Sequence, residues 1–201
     1  MINIVTRIVD KLIMMFNRLW NKRLFTRCHV SCQQWIIHGR IQIRNLGIII
    51  IQDGFRCNSG TRFNPIGGDT ICRLIVYPEG ILSIGEKVGI SNSTIVCQRS
   101  ITIDDSVYIG GSCRIWDTDF HAINPYSRLS DFDTKVKTAP IHIRNRAFIG
   151  GGSIILKGVD IGVNSIVAAG SVVTKSIPDN EIWGGNPARF IRKLSIDEVL
   201  N

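Results

Sequence analysis

Ile143-Arg-Asn-Arg-Ala-Phe-Ile149-Gly-Gly-Gly-Ser-Ile-Ile155-Leu-Lys-Gly-Val-Asp-Ile161-Gly-Val-Asn-Ser-Ile-Val167-Ala-Ala-Gly-Ser-Val-Val173-Thr-Lys-Ser-Ile177 repeats with a period of six. Each sixth residue from Ile143 to Val173 is aliphatic and β-branched. Four places after each stand Ala147, Ser153, Val159, Ser165, Ser171 and Ile177. A helix repeats at about 3.6 residues and a half-buried strand at about 2, so neither fits. A fixed longer period is the mark of a stacked-repeat fold. The pattern predicts a left-handed parallel β-helix, in which each hexapeptide is one short face of a triangular prism. The aliphatic side chain points inward and the small one sits near a corner. Glycine admits the positive φ that some corners need. No coil buries its own core, so each depends on its neighbours.

The register extends upstream. Ile84, Ile90 and Val96 lie six apart; the count then slips by one to Ile103 and resumes at Ile109 and Ile115. Residues 36–80 carry a looser version. The pattern breaks at 121–142, a polar stretch with two histidines that is expected to leave the prism as an excursion loop. Residues 1–27 follow helical spacing, with Val5, Ile8, Val9, Leu12, Ile13, Phe16, Leu19 and Trp20 as the apolar set. Arg7, Lys11, Arg18, Lys22 and Arg23 supply basic positions. Such a helix either packs on the body of the protein or lies on an anionic membrane surface. The expected organisation is an all-β protein in three segments: an N-terminal amphipathic helical segment at 1–35, the β-helix at 36–183, and a basic tail with a short C-terminal helix at 184–201.

Lys and Arg number 24 against 16 Asp and Glu, a net charge of +8. A basic surface suits polyanions or a phosphate-bearing cofactor. There is no zinc-finger spacing or RNP-like aromatic motif, and no nucleic-acid partner is expected. No apolar run reaches the ~20 residues of a membrane span. Without a secretory signal, the six cysteines read as reduced, mostly buried thiols in a cytoplasmic protein, with the inner membrane face as the alternative site. Cys28, His29 and Cys32 form at most half a metal site, since no second pair matches their spacing, and no metal is expected.

Four motifs follow in order: Asp117-Thr-Asp-Phe-His121, Phe148-Ile-Gly-Gly-Gly-Ser153, Ala168-Ala-Gly-Ser-Val-Val-Thr-Lys175 and Gly185-Asn-Pro-Ala-Arg189. Through them the sequence resembles the hexapeptide-repeat acyltransferases, above all the galactoside and maltose type of sugar O-acetyltransferase and the surface-polysaccharide O-acetyltransferases. The resemblance covers roughly residues 80–194. It implies transfer of an acetyl group from acetyl-CoA to a hydroxyl of a sugar or polysaccharide acceptor by a homotrimer whose sites lie between subunits. It makes His121 the catalytic base, a role that suits imidazole. It implies acceptor contacts from Asn92, Asp119 and Arg128. Gly151 would contact the thioester and Ala169 the pantetheine arm, with Thr174 and Lys175 near the nucleotide end. Arg189 and Arg192 would hold phosphates. Asp117 or Asp119 would orient the imidazole. Two departures stand out: Phe148 replaces a frequent Trp, and Lys157 replaces a usual Pro.

Other readings of the same scaffold remain. One is N-acetylation of a nucleotide-linked amino sugar or of a xenobiotic. Another is a scaffold without catalysis. The γ-class carbonic anhydrases share the fold but need three converging histidines. His29, His38, His121 and His142 contain no close pair, and His142 reads as structural.

Overall fold

The computed structural model describes residues 4–64, 66, 71–129 and 135–200. The first three residues of the expected N-terminal helix, and residues 130–134 of the expected loop, lie outside them. The chain winds as a left-handed parallel β-helix with three faces. The first face contains Trp35–His38, Phe55–Asn58, Gly89–Ser91, Tyr108–Ile109, Phe148–Ile149 and Ile166–Val167, then the pair Glu181–Gly185 and Ala188–Lys193. The second contains Gln42–Asn45, Arg73–Val76, Thr94–Cys97, Arg114–Trp116, Ile154–Ile155 and Val172–Val173. The third contains Ile48–Ile51, Ile81–Ile84, Ser100–Ile103, Ile141–Ile143 and Asp160–Ile161.

The six-residue count identifies the core. Ile143, Ile149, Ile155, Ile161, Val167 and Val173 are all fully buried at 0% exposure. They join inward stacks along each face, such as Ile43, Leu74, Ile95, Ile115, Ile155 and Val173. Each buried aliphatic contributes about 1.5–3 kcal/mol of transfer free energy. The small positions are buried as well. Ser93, Cys113, Ser153 and Ser171 line one edge, where the Ser93 hydroxyl accepts from the Cys113 amide at 3.0 Å. Two glycines act differently. Gly152 holds a φ of 74°. Gly150 has no such φ; a Cβ there would stand 2.5 Å from the Ala169 amide, so the next coil's approach excludes a side chain.

Several expectations need correction. Residues 36–80 form regular four-residue strands, in which Cys57, Leu74 and Phe55 fill the inward sites. The register slips at two places rather than one: the turn through Asn92 (φ 38°) is one residue short, so Ile95, not Val96, stacks on Ile115, and the step from Ile95 to Ile103 is then longer than one repeat. The excursion loop occupies 117–140 rather than 121–142, since Ile141–Ile143 is already a strand. A second excursion at 59–72 was not anticipated; its residues 65 and 67–70 lie outside the described set. The basic stretch of the tail is not helical. Ala188–Lys193 pairs antiparallel with Glu181–Gly185, and the C-terminal helix, Ile196–Leu200, begins with Asp197 and Glu198.

The N-terminal helix, α1, spans Ile4–Arg27. Phe25 packs on Trp35 with ring centroids 5.5 Å apart, and Val30 joins the core. The expected apolar stripe does not face the body: Ile8, Val9, Leu12, Phe16, Leu19 and Trp20 are exposed, and the side chain of Val5 lies outside the described set. No helix among the described residues is long and apolar enough to cross a membrane.

The inward and outward alternation predicts unequal costs for neighbours. Ile155→Ala removes a fully buried side chain and costs about 2–5 kcal/mol. Ile154→Ala, on the outer surface of the same strand, costs about 1 kcal/mol or less. Chemical denaturation midpoints of the two variants measure the difference.

Candidate active site

The excursion loop leaves the prism between the second and third faces, after Trp116, and returns at Ile141. Its neck is pinned. Asp117 is fully buried, and its carboxylate accepts from the amides of Gln98, Arg99 and Ser100, each at 2.7 Å. The Ala139 amide donates to the Asp117 carbonyl at 3.0 Å, and the Asp119 amide to the Lys137 carbonyl at 3.0 Å. Thr118 and Thr138 form an antiparallel bridge. Asp117 is thereby committed to the backbone.

Asp119 carries the second tie. Its Oδ1 lies 2.6 Å from Lys157 Nζ, with both side chains about a quarter exposed, and its Oδ2 is buried without a partner among the described residues. The ladder places Lys157 one rung past Asp117, because Ile115 aligns with Ile155. The lysine that replaces the usual proline therefore fastens the carboxylate two residues before His121. His121 is exposed and follows Phe120, which holds a φ of 62° and packs on Trp116 at 6.0 Å. Beyond it, Asn124 caps the short helix α2, Pro125–Arg128, by accepting from the Ser127 amide at 3.1 Å. Arg128 closes that helix, exposed. The loop also exposes Ile123 (66%), Tyr126 (83%) and Leu129 (84%).

A different edge, between the first and second faces, is almost free of side chains. Gly111, Gly151 and Ala169 follow one another from coil to coil, linked by Gly152 N–H to Gly111 O at 2.7 Å and Gly170 N–H to Gly151 O at 2.9 Å. Among the described residues, the Gly151 amide has no acceptor. The second excursion closes one end of this edge. Asn64 is buried there, its Nδ2 lacks a partner among the described residues, and a Cβ on Gly111 would come within 2.7 Å of it. The hairpin closes the other end, where the Gly185 amide donates to the Ser171 hydroxyl at 3.1 Å. Arg189 sits on that hairpin opposite Gly184.

The sequence-predicted residues thus divide between two edges. Thr174 and Lys175 lie on the loop's edge, one rung beyond Leu156 and Lys157, and are exposed. Gly151, Ala169 and Arg189 lie along the bare edge. Asn92 is at that edge too, but only 1% exposed, its carbonyl oxygen accepting from the Gly60 amide at 2.7 Å. It supports the second excursion rather than opening onto solvent. Arg192 is held by a bidentate pair with Glu198, 2.7 Å for each bond, which draws the Glu198 carboxyl down to about 2. Phosphate binding by Arg192 would have to displace that carboxylate.

His142 belongs to the frame, with Nε2 2.9 Å from the Asp104 carboxylate. Two of the thiols are poor nucleophiles: burial lifts Cys97 to about 12, with the Asp117 charge adding to it, and burial likewise lifts Cys32 to about 11. Among the described residues, no three His, Cys, Asp or Glu side chains are placed to hold a metal ion.

Comparison with known proteins agrees with the fold. Residues 140–175 match the hexapeptide repeat of succinyl-transferase. A galactoside O-acetyltransferase of Lactococcus lactis is 36% identical over 104 residues, 52% of this chain and 48% of that protein. A candidate acetyltransferase of Saccharomyces cerevisiae is 38% identical over 104 residues, 52% of this chain and 51% of that protein. The chain spans about half the length of the curated relatives it matches. Among solved structures, the N-acyltransferase AntD of Bacillus cereus, in complex with dTDP-4-amino-4,6-dideoxyglucose and coenzyme A, superposes with a TM-score of 0.69 at 23% identity, covering 89% of this chain and 91% of that one. A hexapeptide-repeat acetyltransferase of Vibrio cholerae complexed with acetyl coenzyme A gives 0.59 at 20% identity, covering 96% and 91%. The chain thus carries the hexapeptide repeat over residues 140–175 and is similar over about half its length to acetyltransferases.

The two aspartates of the loop neck should separate experimentally. Asp117→Ala strands three part-buried backbone amides and lowers stability by about 3 kcal/mol, read from denaturant unfolding. Lys157→Met loosens only the loop and speeds proteolytic cleavage within 118–138, with a smaller change in global stability.

Proposed function

We propose that the protein transfers an acetyl group from acetyl-CoA to a hydroxyl of a sugar, in a surface polysaccharide or its precursor. The observation that carries this reading is the bare edge at Gly111, Gly151 and Ala169, with the Gly151 amide lacking an acceptor among the described residues. An extended pantetheine arm fits an edge without side chains. A thioester carbonyl laid there meets an amide able to stabilise the developing oxyanion. His121 takes the proton of the acceptor hydroxyl as its oxygen attacks the thioester carbon. Collapse of the tetrahedral intermediate breaks the C–S bond and releases CoA as its thiol, with the proton returned by the imidazolium. Arg189 and Lys175 are suited to the cofactor's phosphates. Arg128 is suited to acceptor hydroxyls, while Asp119, tied to Lys157, fixes the chain that leads to His121.

One chain leaves His121 and Gly151 on different edges of the prism. The working unit is therefore a trimer, in which the loop of one subunit reaches the bare edge of the next. The exposed Ile123, Tyr126 and Leu129 support this, since a neighbour would cover them. The O-acetyl reading follows the galactoside relative; likeness to AntD concerns the fold. The site of action is the cytoplasm, at the inner face of the membrane.

Release of free thiol from acetyl-CoA, measured against sugars, nucleotide sugars and oligosaccharides, tests the proposal. His121→Ala should lower the rate at least ~100-fold while the mass in solution stays that of a trimer. Unchanged turnover would remove His121 from the mechanism. Turnover only with amino sugars would move the reading to N-acetylation.

A further inference from the structure

Helix α1 is amphipathic, yet it docks by its polar side. Successive residues turn by about 100°, so Asp10, Asn17, Asn21 and Leu24 share one face. Asn21 is fully buried: its Nδ2 donates to the Gly39 carbonyl at 2.9 Å, and its Oδ1 accepts from the Ile41 amide at 3.3 Å. Asn17 accepts from Arg40 at 3.0 Å, and Asp10 pairs with Arg62. The opposite face is apolar and uncovered. Ile8, Leu12, Met15, Phe16 and Leu19 are each about half exposed, Phe16 the most at 58%. Along one flank of that face run Arg7, Lys11, Arg18 and Lys22, all exposed and in no ion pair among the described residues. The sole carboxylate of the helix, Asp10, is turned to the body.

We propose that the outward face of α1 docks the protein on an anionic lipid bilayer. Apolar side chains beside a row of cations form the arrangement that sinks a helix to the level of the headgroups while its basic flank meets their charge. A second α1 would cover the apolar stripe but bring no carboxylate to the basic row. Anionic headgroups satisfy both parts. The helix also sits where a flat surface can reach it. The segment through α1 touches the outermost strand of every face: Phe25 lies on Trp35, the Asn45 side chain donates to the Cys28 carbonyl at 3.0 Å, and Ser31 bridges to Ile50. The helix therefore lies across one end of the prism. In the trimer of the proposed function, on which this step rests, all three copies face the same way. Three weak anchors then act with the avidity of one assembly. Membrane docking would deliver the site to an acceptor carried on a lipid.

The test is co-flotation of the full chain with phosphatidylcholine vesicles, with and without phosphatidylglycerol. Binding should need phosphatidylglycerol and weaken with salt. Both Phe16→Glu and the double variant Arg18→Glu, Lys22→Glu should reduce partitioning by ~10-fold or more. Neither touches the acetyl-transfer residues, so thiol release with a soluble acceptor should stay at the wild-type rate. Failure of that assay in the wild type would sink the enzyme reading and leave the lipid result standing. Equal binding to neutral and anionic vesicles, or none to either, would overturn the proposal. A fall in solution mass on Phe16→Glu would overturn it too, by making this face a contact between copies.

Discussion

Everything on this molecule hangs from the inward stack of aliphatic side chains and the parallel ladder that spaces it. A coil of three short strands has no interior of its own; its isoleucines are buried only because the coils above and below repeat them in register. The ladder spaces neighbouring coils by about 4.8 Å, so any column of residues along an edge inherits that spacing. Two such columns matter. Gly111, Gly151 and Ala169 make one edge bare, and Asp117, Lys157 and Lys175 arm another. A slip of one residue in the core would scramble both. The site is thus specified by packing far from any reacting atom.

A stack of this kind ends in unpaired strand edges, which invite pairing with another chain. The two ends are treated differently. At the C-terminal end, Ala188–Lys193 folds back on Glu181–Gly185, and Lys and Arg populate the last strand. At the N-terminal end, α1 and residues 28–31 cover the first coil. Side chains serve the backbone there: Asn21 meets the Gly39 carbonyl and the Ile41 amide, which no strand partners. A buried asparagine is tolerated because both halves of its amide are satisfied.

The repeat could be read from sequence because its signal is one-dimensional: an inward residue must be aliphatic in every coil. That reading found the inward stacks of 143–177 and the existence of the loop. It lost the register at Ile95 and Val96, since both are apolar and only the shortened turn at Asn92 distinguishes them. It missed the 59–72 excursion, although the run from Asn58 to Cys72 contains Gly60, Pro65, Gly67 and Gly68 and exceeds one repeat. It found which face of α1 is apolar but not which way that face points, because docking there uses Asn17 and Asn21. The tail misled because alternating and helical patterns are hard to tell apart in six basic and apolar residues.

Of the candidate site, the motif positions were legible and their partners were not. Asp117 and Asp119 are two residues apart and chemically identical. Burial separates them: Asp117 is spent on three amides, while Asp119 keeps one oxygen for Lys157 and, among the described residues, one unused. Lys157 explains why the loop can be fixed at its neck and exposed at its tip. A proline on that rung would offer no donor, and the Asp119 carboxylate, three-quarters buried, would face its desolvation cost without a counter-charge. With lysine in place the neck is held electrostatically, two residues from His121. The apolar residues beyond it remain free to meet a neighbouring surface. The loop neck is thus fixed by its own chain, and in the proposed trimer completion of the site is left to the subunit that receives the loop.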